Sequence, residues 1–118
     1  RCPICANEDN VLKVIRENMA NIGVTLHNET MTAPHHVDGD SHFVRTLNAA
    51  YELYTGLKGG CESMGGGTYV HDLKNGVAFG AALPGTDNRM HGADEFAVID
   101  ELMVSAKIFA QVIVDLCS

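Results

Sequence analysis

The chain has 118 residues, of which 46% are hydrophobic, and a formal net charge of −7 at pH 7. This length and composition fit one folded globular core and argue against intrinsic disorder. The acidic balance argues against non-specific binding to nucleic acid or to anionic membranes, so we expect neither as a partner. No apolar run approaches the ~20 residues of a membrane helix, and no segment resembles a signal peptide, so we predict a cytoplasmic protein.

The first part of the chain predicts a strand-helix-strand unit. Residues 1–6 are short and apolar enough for a strand, and Asn7 is suited to cap a helix. Apolar residues then recur at helical spacing until Gly23, which is placed to end the helix in a left-handed conformation. The apolar and β-branched residues of 24–31 predict a second strand.

The rest of the chain predicts a helix, a strand and a second helix. Asp40 or Ser41 is suited to cap the first of these helices, and Gly56 to end it. Residues 77–83 are almost uniformly apolar, as in a strand that is buried on both faces. Asp100 is suited to cap the last helix. The predicted apolar face of that helix consists of Leu102, Met103, Ala106, Phe109, Ala110, Val112, Ile113 and Leu116.

These elements together predict an α/β fold. Strands and helices alternate along the chain, which is typical of a sheet covered by helices. A sheet of so few strands would leave its edges exposed unless another chain covered them. We therefore expect either self-association or a complementary partner chain.

The most informative segment is residues 65–95, which read GGGTYVHDLKNGVAFGAALPGTDNRMHGADE. Its three initial glycines would allow the backbone to approach a ligand closely. Residues 69–73 predict a short helix, and free N–H groups at a helix start favour anions. A glycine run alone is weak support for a site, because most such runs are turns.

The combination of a GGGTY turn, a GVAFGA strand and a Met-His-x-x-x-Glu loop resembles bacterial zinc dipeptidases of the carnosinase/aminoacylase superfamily. The resemblance covers residues 34–116, including the SHFVRTLNAAYELYTG helix and the final helix. It implies the C-terminal portion of such an enzyme. Residues 1–33 would be the second half of a ferredoxin-like lid, and residues 34–118 the helix-strand-helix end of the catalytic domain.

The resemblance also implies roles for individual side chains. His91 would be a ligand of one of two zinc ions, with manganese as an alternative metal, and Glu95 would orient His91 or hold its loop. His71 occupies the position of a family arginine suited to the substrate carboxylate, so either carboxylate recognition differs here or the role is lost. The wall of the substrate pocket would consist of Gly65, Gly66, Gly67, Thr68 and Tyr69.

Most of the catalytic set of such enzymes has no counterpart in this sequence. They hydrolyse dipeptides with a metal-bound water and a glutamate base, and they carry an adjacent Glu-Glu pair. The chain contains no Glu-Glu pair, and one histidine cannot hold a metal that takes about four ligands. We therefore expect a dipeptidase portion that is inactive alone, binds no metal alone, and needs the missing N-terminal portion.

Two other functions stay open. The chain could act as a stand-alone, non-catalytic module that forms oligomers or binds a partner. It could also be a small thiol-redox protein, because Cys2 and Cys5 form a CxxC pattern. The redox interpretation lacks the preceding strand of a thioredoxin-like site, and free, mostly buried thiols in a reducing compartment are the simpler expectation.

A polar hinge at residues 34–41 offers a further candidate metal site. His36-Val37-Asp38 repeats the His-x-Asp pattern of metal-binding strands, and the neighbouring side chains of His35, Asp40 and His42 could add ligands. Its neighbours in sequence align this segment with the hinge before a helix. A solvated hinge is therefore the simpler interpretation.

Overall fold

The computed structural model describes residues 4–80 and 82–118, which form two compact units. The first unit comprises Arg1–His36 and Gly65–Gly67, and the second comprises Val37–Met64 and Thr68–Ser118. The helices are α1 (Glu8–Asn21), α2 (His42–Thr55), a 3₁₀ helix (Tyr69–Asp72) and α3 (Ile99–Cys117). The division between lid and catalytic domain at residue 34 stays a prediction.

The predicted α/β fold is wrong, because the described residues contain helices and no strand. Residues 24–31 and 77–80 have no regular secondary structure, and Ile4 and Cys5 lie in a turn. Residues 1–3 and 81, which belong to two predicted strands, lie outside the described part of the chain. A β-branched run becomes a strand only when another strand satisfies its N–H and C=O groups, and no such ladder forms among the described residues.

Helix α1 begins and ends as the sequence predicts. The Asn7 side chain caps its start by accepting from the Asn10 amide at 3.2 Å. At its end Gly23 adopts φ 74°, and its amide donates to Ala20 O while the Val24 amide donates to Met19 O. This pair of hydrogen bonds is a Schellman motif, which satisfies two carbonyls of the last turn.

An ion pair ties the segment after α1 back to the helix. The Arg16 guanidinium donates to the Glu29 carboxylate, and this hydrogen bond and the Glu29 charge raise the pKa of Arg16. None of the residues of α1 is buried. Helix α1 therefore contributes no buried residue to a core in the first unit.

Helix α2 is delimited by a serine and a glycine. Ser41 Oγ accepts from the Val44 amide at 3.3 Å, which identifies Ser41 as the cap. Gly56 ends the helix at φ 68°, a left-handed conformation that favours glycine. Both predicted ends of this helix are confirmed.

Helices α2 and α3 pack against each other and form the core of the second unit. The buried cluster consists of Leu47, Ala50, Ile108 and Val112, and partly buried Val77 and Phe79 pack against it. The ring of Phe79 contacts that of Phe109 edge to face, with centroids 5.5 Å apart. Residues 77–80 of the predicted strand thus cover the core through Val77 and Phe79, although they form no strand.

Helix α3 packs through a different face from the one its sequence predicts. Its buried residues are Ser105, Ile108 and Val112, and of these only Val112 belongs to the predicted face. Apolar side chains that are largely exposed lie on its other face, which we call the exposed stripe, although the Phe109 ring of this stripe also contacts Phe79. The exposed stripe consists of Ile99, Leu102, Met103, Phe109, Ile113 and Leu116.

Candidate functional site

The predicted wall of a substrate pocket comprises the glycine run, Thr68 and Tyr69, and it stays a prediction. Gly65, Gly66 and Gly67 are exposed, and a Cβ atom at Gly66 or Gly67 would meet no atom within 4 Å. Thr68 has extended backbone before the 3₁₀ helix, and the Tyr69 side chain is 97% exposed. The described residues therefore leave room for a ligand at this turn but do not enclose one.

His71 is engaged with the backbone of its own turn. Its Nδ1 lies 3.2 Å from the Thr68 amide nitrogen and 3.0 Å from the Thr68 carbonyl oxygen. In one tautomer Nδ1 accepts from the amide, and in the other it donates to the carbonyl. Either contact fixes the imidazole at the start of the 3₁₀ helix. A role in binding a substrate carboxylate stays a prediction.

His91 lies in a turn-rich segment of residues 86–96, which we call the His91 loop. Three of its non-glycine residues have left-handed backbone: Arg89 at φ 58°, His91 at φ 64° and Asp94 at φ 57°. Such a conformation costs about 1–2 kcal/mol per residue relative to the right-handed region. Surrounding contacts must hold the loop in this shape.

Hydrogen bonds within the His91 loop provide these contacts. The Phe96 amide donates to Asn88 O at 3.2 Å and closes the loop, and the Gly92 amide donates to Arg89 O at 2.7 Å. The Met90 amide donates to the Asn88 side chain at 3.2 Å. Much of the backbone around His91 is therefore satisfied locally.

Glu95 contacts the backbone of His91. Its carboxylate accepts from the His91 amide at 3.4 Å, and the side chains of both residues are exposed. This geometry matches a residue that holds the loop. The described residues show no hydrogen bond from Glu95 to the imidazole ring.

Two further anchoring residues were missed by the sequence analysis. Thr86 Oγ1 donates to the carboxylate of Glu101 in the first turn of α3, which connects the His91 loop to that helix. The two residues are 15 positions apart and belong to no local motif. The predicted cap Asp100 is also wrong, because the N-cap of α3 is Val98, two residues earlier, and Asp100 lies in the first turn.

The residues present do not fit a complete metal site. Within residues 4–80 and 82–118, no group of three or more His, Cys, Asp or Glu side chains could hold a metal ion. This finding includes the hinge, where Asp38 Oδ1 instead accepts from the Asp40 amide at 2.9 Å. His91 therefore belongs to no group of three or more potential ligands among the described residues.

The thiols differ from the sequence expectation. Cys5, Cys61 and Cys117 are free, as expected, but all three are exposed, so the prediction of buried thiols is wrong for them. Cys2 lies outside the described residues. The redox interpretation of the Cys2–Cys5 pair therefore stays a prediction.

An open cleft of about 360 Å³ lies in the first unit, and none of its lining residues is a predicted site residue. It is lined by Arg16, Met19, Ala20, Gly23, Val24, Thr25, Leu26 and Glu29. The Arg16–Glu29 ion pair supplies its charged groups. Because these two charges neutralise each other, the cleft offers no net charge to a ligand.

Sequence comparison relates the chain to curated bacterial proteins. It is 46% identical over 83 residues to the protein named putative dipeptidase YtjP of Bacillus subtilis, covering 70% of this chain. It is 35% identical over 116 residues, 98% of this chain, to the Beta-Ala-Xaa dipeptidase of Lactobacillus delbrueckii subsp. lactis. A putative dipeptidase of Staphylococcus epidermidis is 34% identical over 102 residues, covering 86% of this chain. The chain is homologous to part of these dipeptidases.

The chain spans only 18–24% of the length of these relatives. No family model and no solved structure matches it. The resemblance to bacterial dipeptidases is confirmed, whereas the metal and the site residues stay predictions. Among the helices of the described residues, none combines the length and hydropathy required to cross a bilayer.

Proposed function

We propose that this chain is the C-terminal portion of a metal-dependent dipeptidase and is inactive without the rest of the enzyme. The observation that carries the proposal is the match of 98% of the chain to a Beta-Ala-Xaa dipeptidase at 35% identity. The substrate class of the complete enzyme is then a dipeptide. The loop around His91 and the turn at residues 65–71 are the parts that this chain contributes.

His91 supplies one imidazole to a zinc or manganese centre in this proposal. The exposed ring and the hydrogen-bonded loop beneath it support the assignment, because a ligand must be both accessible and held in place. Because the described residues form no group of three or more such side chains, the rest of the enzyme supplies the remaining ligands in this proposal. A second ligand set at the hinge has no support, because Asp38 is engaged with the local turn.

The turn at residues 65–71 contributes to dipeptide binding. Exposed backbone at Gly66 and Gly67 and the exposed Tyr69 ring offer hydrogen-bonding and apolar contacts to a small peptide. His71 is placed by its contact with Thr68. A dipeptide carries a carboxylate, and in this proposal an imidazole N–H of His71 donates a hydrogen bond to it.

A chimeric enzyme tests the proposal. The 118 residues replace the matching segment of the Lactobacillus dipeptidase, and hydrolysis of β-Ala-Xaa dipeptides and metal content are measured. We expect the chimera to bind metal and hydrolyse dipeptides, and the isolated chain to do neither with zinc, manganese or cobalt. Hydrolysis by the repurified isolated chain that disappears in its His91→Ala variant would contradict the proposal.

Three histidine variants of the chimera test the site assignment. We expect His91→Ala to lose metal and to lower kcat, because removing one of about four ligands weakens a metal site directly. The matched controls His36→Ala and His42→Ala should keep their metal and change kcat and KM together at most. Full metal occupancy in His91→Ala with loss in His36→Ala would instead favour the hinge.

A second candidate function is a non-catalytic module that self-associates. The observation that favours it is the exposed stripe of α3, where Ile99 is 75% and Ile113 is 61% exposed. Exposed apolar faces of this kind mark interaction surfaces. Light scattering should show concentration-dependent mass for the isolated chain, and Ile113→Lys should abolish it. A monomer at every concentration would exclude this function.

A further inference from the structure

Helix α3 begins in an unusual way for its sequence. Its N-cap is Val98, which makes no side-chain cap hydrogen bond. Glu101 occupies the third helical position. A carboxylate at this position commonly accepts a hydrogen bond from the backbone amide of the N-cap residue. Here the Glu101 carboxylate instead accepts from the Thr86 hydroxyl. The Glu101 side chain thus binds Thr86 of the preceding segment and does not cap its own helix.

The Thr86–Glu101 contact lies at the base of the His91 loop. Thr86 precedes His91 by five residues, and the loop closes above it through the Phe96 amide and Asn88 O at 3.2 Å. Thr86 and Glu101 are both partly buried, so solvent competes less with their hydrogen bond than with one on an open surface.

Glu101 is attached to the most firmly packed part of the second unit. It lies one turn before the buried residues of α3, of which Ile108 and Val112 belong to the core cluster with α2. Its position in the first turn of α3 also places the carboxylate beside the N–H groups that begin this helix. A hydrogen bond from the loop to Glu101 therefore fixes the loop relative to this helix.

We propose that Glu101 is a positioning residue that holds the His91 loop through the hydroxyl of Thr86. The proposal rests on the proposed function for the use of His91, but the structural claim concerns only the order of the loop. Glu95 holds the turn of His91 from within the loop, and Glu101 anchors the loop from the helix. Without this anchor the left-handed residues of the loop would relax toward other conformations.

Backbone order in the 118-residue chain tests the proposal. Order parameters from ¹⁵N relaxation are measured for the amides of residues 88–92 and, as an internal reference, for residues 105–112. In the wild type we expect values near the ~0.85 of rigid backbone in both segments. In Glu101→Ala and Thr86→Val we expect the loop values to fall below ~0.6 while those of α3 stay unchanged.

Conservative variants separate positioning from a general structural effect. Thr86→Ser and Glu101→Gln keep a hydroxyl and an acceptor oxygen, so we expect them to restore the order of the loop. Asp100→Ala, in the same helical turn, is the matched control and should leave the loop rigid. The double variant Thr86→Val/Glu101→Ala should be no more mobile than either single variant.

Several results would overturn the proposal. The first is a loop that is already mobile in the wild type. The second is a loop that stays rigid in both Thr86→Val and Glu101→Ala. The third is a double variant in which the two losses of loop order add. If Glu101→Ala unfolds, the loop order in Thr86→Val alone tests the proposal, because the Thr86 substitution leaves the sequence of α3 unchanged. A failure of the dipeptidase proposal would be distinct, since the chimera could be inactive while the loop responds as expected.

Discussion

Two isoleucines of α3 allow a direct test of which face of this helix is buried. Ile108 is 4% exposed in the core with α2, and Ile113 is 61% exposed on the stripe. Ile→Ala at a buried site costs about 2–5 kcal/mol, from lost burial and the cavity left behind. Full burial of such a side chain is worth about 1.5–3 kcal/mol, so Ile113, which is mostly in water, should lose only about 1 kcal/mol or less.

The comparison is well matched, because both substitutions place alanine in the same helix. The gain in helix propensity, at most about 0.7 kcal/mol, therefore applies to both and cancels in the difference. Ile108→Ala should destabilise the second unit by about 2 kcal/mol more than Ile113→Ala. A core of so few buried residues has little stability in reserve, so Ile108→Ala should already be partly unfolded without denaturant.

Urea unfolding followed by circular dichroism at 222 nm measures the difference. The experiment is done at the lowest usable protein concentration, so that self-association does not bury Ile113. The m-values should agree between the variants, so that the change in midpoint reports stability. Equal costs for the two variants, or a larger cost for Ile113→Ala, would refute the packing of α3 described above.

Further predictions concern the ends of α2 and the surrounding turns. Ser41→Ala should cost about 0.5–2 kcal/mol in urea unfolding, because it removes the acceptor of the Val44 amide, and no loss would argue against this cap. Gly56→Ala should cost about 1–2 kcal/mol because φ is 68° there. Gly66→Ala, with open space at its Cβ, should stay within about 0.5 kcal/mol of the wild type, and equal effects of the two glycine variants would contradict this distinction.

The helices and most of their ends followed from local sequence. The hydrogen bonds that begin and end α1 and α2 join residues only a few positions apart. They involve Asn7, Ser41, Gly23 and Gly56, so their patterns can be recognised without knowledge of the fold. Val98 is the exception. Val98 precedes α3 and makes no side-chain cap hydrogen bond. Asp100, which the sequence analysis predicted as the cap, lies in the first turn of the helix.

The candidate site was only partly accessible to sequence analysis. His91 and Glu95 were found through a short motif, and their backbone contact at 3.4 Å lies within that motif. The anchor of the same loop, Thr86 with Glu101, joins residues 15 positions apart. No periodicity or turn pattern relates residues at that separation, so only the structure reveals the pair.

By itself, the sequence determined where helices form and which proteins the chain is related to. Tertiary structure decided whether the apolar residues at 24–31 and 77–80 pair as strands and which face of α3 is buried. Both depend on partners distant in the chain. A strand needs a second strand for its hydrogen bonds, and a helix that is apolar on two faces buries the one that its neighbour α2 covers.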